Sequence, residues 1–254
     1  MRTAILSLVI LVACGLVLTT HAFQEKPTAN TARTPVLVEL YTSEGCSSCP
    51  AVDKLVADIE SRQPVSNAQV VLLSFHVDYW DQLGWHDRFS SHDYTLRQQQ
   101  YSSLFSEAEV YTPELIVDGK ESRPESLGQS VQHAATAPKP VSLHVAEKSG
   151  RTVTISAQGE PKANARVLVA ITEDGLSTKV GGGENGGRTL MHSGVVRKFV
   201  SLGKLEHGAF SKDFNVPADA QWQSSKLTLV SFAQDEKTGR VLGVTAQSLS
   251  ELMK

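Results

Sequence analysis

The stretch Pro35-Val-Leu-Val-Glu-Leu-Tyr-Thr-Ser-Glu-Gly-Cys-Ser-Ser-Cys-Pro50 runs an apolar segment directly into a close pair of cysteines. Val36, Leu37, Val38 and Leu40 put apolar side chains on both faces of a strand, the pattern of a strand covered on both sides. A helical pattern follows at Val52, Leu55, Val56 and Ile59 and stops at Gln63-Pro64. The cysteines therefore fall where a strand gives way to the first turn of a helix. Backbone N–H groups without partners and the positive end of the helix dipole stabilise a thiolate there, which lowers its pKa. Cys46 is placed as the attacking thiol. Cys49, one turn on and on the same face, is placed to resolve a mixed disulfide. Pro50 fits the first turn because that position forfeits no backbone hydrogen bond.

Downstream, Val70-Val-Leu-Leu-Ser-Phe75 reads as a second buried strand. Ser90 or Ser91 caps an expected helix from His92 to Phe105, with Leu96, Tyr101, Leu104 and Phe105 as its apolar stripe. Tyr111-Thr-Pro-Glu114 leads into Leu115-Ile-Val117, an Asp118-Gly119 hairpin turn and a last helix marked by Leu127, Val131 and Ala134. This β-α-β-α-β-β-α order over residues 35–137 resembles the minimal thioredoxin fold. The resemblance implies a cis Pro113 facing the cysteine pair, with Thr112 leaving its backbone free for an extended partner.

Beyond Ala137-Pro-Lys-Pro140 the grammar changes to about seven short strands, from Val141–Ala146 to Val241–Gln247. An all-β, sandwich-like domain is expected over residues 138–254. Before the opening stretch, residues 1–22 read as a secretory signal peptide, with Thr20-His21-Ala22 at its cleavage site, and residues 23–34 as a polar linker. Leu11-Val-Ala-Cys14-Gly15 also resembles a lipobox, which would make Cys14 a lipid anchor. Export to the periplasm or medium follows on either reading, and membrane contact is expected only through Cys14 or an uncleaved signal. Twenty-four basic against 27 acidic residues, with no dense basic cluster, exclude nucleic acid as a partner.

The chain from about Thr34 onward resembles the bacterial secreted, thioredoxin-like family catalogued as domain of unknown function 1223. The resemblance is carried by Val38–Pro50, His76-Val-Asp-Tyr-Trp-Asp81 with Gly84-Trp85, Arg97-Gln98 with Tyr101, Tyr111-Thr-Pro113 and Gly183-Glu-Asn-Gly-Gly-Arg-Thr189. The chain departs from the family pattern at Glu114, where glutamine commonly follows the proline. The resemblance implies fold and export, while the family itself has no settled activity.

Three chemistries compete for Cys46 and Cys49: dithiol exchange, a structural disulfide and metal binding. His76, at the end of the second strand, would complete a soft-metal set with Cys46 and Cys49 suited to copper(I); otherwise no cofactor is expected. Trp80 and Trp85 either form a rim that grips a substrate or cap the sheet as core. Gly181-Gly-Gly-Glu-Asn-Gly186 satisfies G-x-G-x-x-G but follows no β-to-helix unit, so it is not read as a dinucleotide site. Its length and charge instead suggest a loop reaching the cysteines, with Arg188 lowering the thiol pKa; Glu44 and Glu114 are further charged modulators. The leading expectation is an exported thiol–disulfide oxidoreductase acting on a disulfide-containing protein or small thiol, with Cys46, Cys49 and Pro113 catalytic. The alternative is a non-enzymatic envelope module that binds copper(I) or a protein partner.

Overall fold

The computed structural model describes residues 33–106, 109–160 and 164–254. The expected signal peptide, Cys14 and all but the end of the expected linker lie outside the described residues. Ala32–Lys254 form one compact unit. Its first half runs β1 (Thr34–Thr42), α1 (Cys49–Arg62), β2 (Ala68–His76), α2 (His92–Phe105), β3 (Glu114–Val117), β4 (Lys120–Ser122) and α3 (Leu127–Thr136). The second half adds β5 (Ser142–Ser149), β6 (Thr152–Gln158), β7 (Ala165–Glu173), β8 (Leu176–Lys179), β9 (Thr189–His192), β10 (Val195–Lys204), β11 (Ala209–Asn215), β12 (Leu227–Asp235), β13 (Val241–Ser248) and α4 (Leu249–Leu252).

One eight-stranded mixed sheet, ordered β13-β12-β7-β10-β2-β1-β3-β4, spans both halves. β1 and β2 pair in parallel, and both of their faces are covered, as their apolar pattern on both faces requires. Val36, Val38, Leu40, Val70 and Leu72 meet Val52 and Val56 of α1 and Leu127 and Val131 of α3 on one face. Leu37, Tyr41, Leu73 and Phe75 meet Tyr94 and Tyr101 of α2 on the other, together with Leu168, Val196, Val230 and Phe232 of the second half. The alternate residues of β7 and β12, including Val167, Val169, Ile171 and Leu229, pack on the three-stranded sheet β11-β6-β5.

The division expected at residues 137/138 is not a break in this architecture. β10 joins the parallel edge of β2 at Val195↔Ser74, and Ser74 bonds Gly194 and Ser193 through its backbone N–H and its hydroxyl. The prolines that read as a linker are tied down. Lys139 pairs with the buried Asp118, and the N–H of Val141 donates to the carbonyl of Leu242 at 3.0 Å. Two sheets do face each other in the second half, but one of them is the sheet that carries β1 and β2.

The expected stripe on α2 is also corrected. Leu96 and Leu104 are 43% and 39% exposed, while Tyr94, Arg97, Gln98 and Tyr101 face inward. The cause is Glu39, which points from β1 into the same core and needs a cation: Arg97 Nε lies 2.6 Å from its Oε2 and Tyr101 donates to its Oε1 at 2.6 Å. Ser91 is the cap, accepting from the N–H of Asp93. No helix among the described residues is long and apolar enough to cross a membrane.

Candidate functional site

The parallel strands β1 and β2 end together, and the site is built at their C-terminal ends. Cys46 lies in the turn leaving β1 and Cys49 is the first residue of α1, with Pro50 in the helix's first turn. The two form a disulfide, with Cα atoms 5.4 Å apart. Opposite, β3 is entered through a cis peptide at Thr112–Pro113. The Thr112 carbonyl oxygen lies 3.8 Å from Cys46 Sγ, so the segment before β3 faces the first sulfur as expected. Gln98 of α2 fixes that segment by donating to the Tyr111 carbonyl at 2.7 Å and to Glu114 Oε2. Glu114 is thus a buried anchor of the proline segment.

Trp80 and Trp85 are half-buried and hold loops together. Trp80 Nε1 donates to Thr112 Oγ1 at 2.8 Å, and Trp85 Nε1 donates to Glu44 Oε2 at 2.7 Å. Glu44 is fully enclosed and also meets His192 Nε2 at 3.1 Å. Burial alone would raise the Glu44 pKa, but the bonds from His192 and Trp85 outweigh it and hold the carboxyl below its usual range. Beside this pair sits a second one, His76 Nδ1 to Asp87 Oδ2 at 2.6 Å. Asp87 also accepts the backbone N–H groups of Glu44 and Phe89. Burial pushes Asp87 up; His76 and those N–H groups pull harder, and its pKa falls to about 2. Burial pushes His76 down, and Asp87 more than reverses this, so His76 favours the charged form.

His76 therefore serves the frame of the site, stacked edge-on to His192 with ring centroids 5.1 Å apart. The alternative copper set of Cys46, Cys49 and His76 is not assembled in this disulfide form: among the described residues, no three His, Cys, Asp or Glu side chains are arranged to hold a metal ion.

The glycine-rich segment does reach the cysteines. It is the tip of a hairpin formed by β8 and β9, two strands of four residues that carry no apolar run and were not anticipated. Glu184 accepts the N–H of Ser47 at 3.0 Å, and Asn185 donates to the carbonyls of Glu44 and Cys46 at 2.9 and 2.8 Å. Arg188 lies three residues beyond Asn185. Its Nη1 donates to Asn185 Oδ1 at 2.5 Å, so it orients the asparagine that bonds the Cys46 carbonyl. His192 and Asp87 complete the site without a motif of their own to mark them, whereas Gln98 and Asn185 lie in stretches that carry the family resemblance. Each is an ordinary polar residue whose burial is decided by distant chain.

The family model described as Protein of unknown function (DUF1223) matches residues 37–234. The fold is similar to that of protein AGR_C_4864 from Agrobacterium tumefaciens, at 24% identity and a TM-score of 0.67, covering 85% of this chain and 94% of that one. A domain of the outer membrane lipoprotein Omp28 from Porphyromonas gingivalis aligns at 14% identity over 42% of this chain and 85% of its own, with a TM-score of 0.28. That score carries no fold or function across. No curated protein matches the chain.

Proposed function

The chain belongs to the family of proteins of unknown function DUF1223, and from the geometry of its cysteine pair we propose that it is an exported thiol–disulfide oxidoreductase built on a thioredoxin-like core. One observation carries this reading: a two-residue-spaced disulfide at the junction of β1 and α1 faces the carbonyl of the residue before a cis proline, with Cys46 Sγ 3.8 Å away. In the exchange, a thiolate of a dithiol substrate attacks Cys46 Sγ, the Cys46–Cys49 bond breaks, and Cys49 leaves as a thiolate. The second substrate thiolate then attacks the substrate sulfur of the mixed disulfide and releases Cys46. Two electrons and two protons have passed from substrate to protein. Run in reverse, Cys46 attacks a substrate disulfide and Cys49 resolves it. Thr112 and Pro113 shape the groove, and export rests on the signal-like residues 1–22.

Supplied with a dithiol reductant, purified protein is expected to reduce or isomerise a model disulfide, and Cys46→Ser to abolish turnover; equal rates in the two would overturn the proposal. A second reading, a permanent structural bridge, is favoured by the burial of both sulfurs, each 0% exposed. The reduction potential separates the two, because a value below about −300 mV marks a structural disulfide.

A further inference from the structure

The burial of a reactive pair at the surface turn where Ser47 and Ser48 are both exposed requires a cover, and the β8–β9 tip lies across that turn. Resting on the exchange-centre reading above, we propose that residues 181–187 are a lid over the Cys46–Cys49 disulfide, and that a substrate sulfur reaches Cys46 only when this lid lifts. The hairpin is built for that division of labour. Its base is anchored by apolar contact of Leu176 with Phe89 and Val195, by buried Val180 and Leu190, and by His192 on Glu44. Its tip offers no apolar side chain to the body. It is held by the hydrogen bonds of Glu184 and Asn185 and by glycine packing: a Cβ on Gly182 would stand 2.5 Å from the carbonyl oxygen of Gly84. Gly183 and Gly187, at φ +65° and +84°, give the tip backbone geometry that other residues rarely adopt.

A net protein hydrogen bond is modest because water replaces it on opening, so such a lid can lift without unfolding its base. A lid held only by polar contacts and glycine packing yields to a partner that offers Ser47 N–H and the Cys46 carbonyl the same bonds. Small thiols lacking that reach wait for spontaneous opening. The device thereby favours extended peptide substrates over free low-molecular-weight thiols.

The test follows reduction of the purified disulfide protein by excess dithiothreitol, read by thiol labelling. One dithiothreitol thiolate attacks Cys46 Sγ and expels Cys49; the second closes the oxidised ring and frees Cys46, so the reductant supplies both electrons and both protons. Two variants open the lid by different means: Glu184→Ala with Asn185→Ala removes its bonds, and Gly182→Ala removes none but forces the tip off Gly84. Both are expected to be reduced at least about tenfold faster than wild type: the first loses three hydrogen bonds, of which one net bond already amounts to about that factor, and the second replaces close glycine packing with a collision. Equal rates in wild type and both variants overturn the lid. Faster reduction in the variants, with no turnover of a model disulfide by any form, overturns the exchange-centre reading alone.

Discussion

At the scale of single residues, the buried ions decide which side chains matter. Glu39 and Arg97 are both almost completely enclosed, and each is ruinous without the other, since an unpaired charge in the core costs about 3–5 kcal/mol. Glu39→Ala is expected to destabilise the protein by that amount in urea titration. The double change Glu39→Leu with Arg97→Met is expected to cost less than the single one. The His76–Asp87 pair makes stability depend on pH on both sides. The lowered Asp87 pKa contributes stability that is present above pH 3.8 and lost as pH falls toward about 2, worth about 2 kcal/mol. The raised His76 pKa contributes stability that is full below pH 6.5 and lost as pH rises through its folded value. Urea midpoints measured across pH are expected to be highest between these limits, and Asp87→Asn to flatten the acid decline. Cys46 and Cys49 could be picked out from local sequence because their spacing is their signal, and Pro113 only through the resemblance to the thioredoxin fold. His192 could not, because only the tertiary path of the chain gives it a partner, whereas the loop that carries Asn185 was legible by its length and charge.

At the scale of elements, turns and helices respond to glycine in opposite directions. Asp118-Gly119 is legible as a turn from the dipeptide alone, and both residues adopt positive φ. What the dipeptide does not reveal is that Gly119 is pressed against the second half of the chain: a Cβ there would sit 1.9 Å from the carbonyl oxygen of Gly239. Gly119→Ala is therefore expected to lower the melting temperature sharply, by combined backbone strain and collision. Gly128, inside α3, meets nothing within 4 Å of its built Cβ. Gly128→Ala is expected to raise stability by about 0.5–1 kcal/mol, and a drop would show that α3 is not held as described. The helix α2 was readable in extent and cap but not in face, because period alone assigns apolar residues inward, while Glu39 demanded Arg97 there. The β8–β9 strands carry no clear sequence signal for a related reason: Ser177, Lys179 and Thr189 alternate with the buried side chains in strands of only four residues.

At the scale of the whole molecule, a change of grammar in sequence is not a change of domain. Residues 35–137 have the element order of a self-contained unit, and Pro138-Lys-Pro140 looks like its exit. Yet the α2 face of β1 and β2 is completed by Leu168, Val196, Val230 and Phe232, and Arg97 bonds Gln234 from within that core. β2 would become an edge strand if β10 were removed, with its N–H and C=O groups open to other chains. A fragment ending at Ala137 would thus expose an apolar face, a strand edge and a weakened ion pair together. It is expected to lack the sharp thermal transition of the full chain and to be cleaved rapidly by protease. A cooperative melt and native-like disulfide protection in that fragment would mean that the shared sheet is an accessory to the site. The contrary result makes the second half part of the scaffold that holds Cys46 against Thr112, as well as the source of the hairpin that covers it.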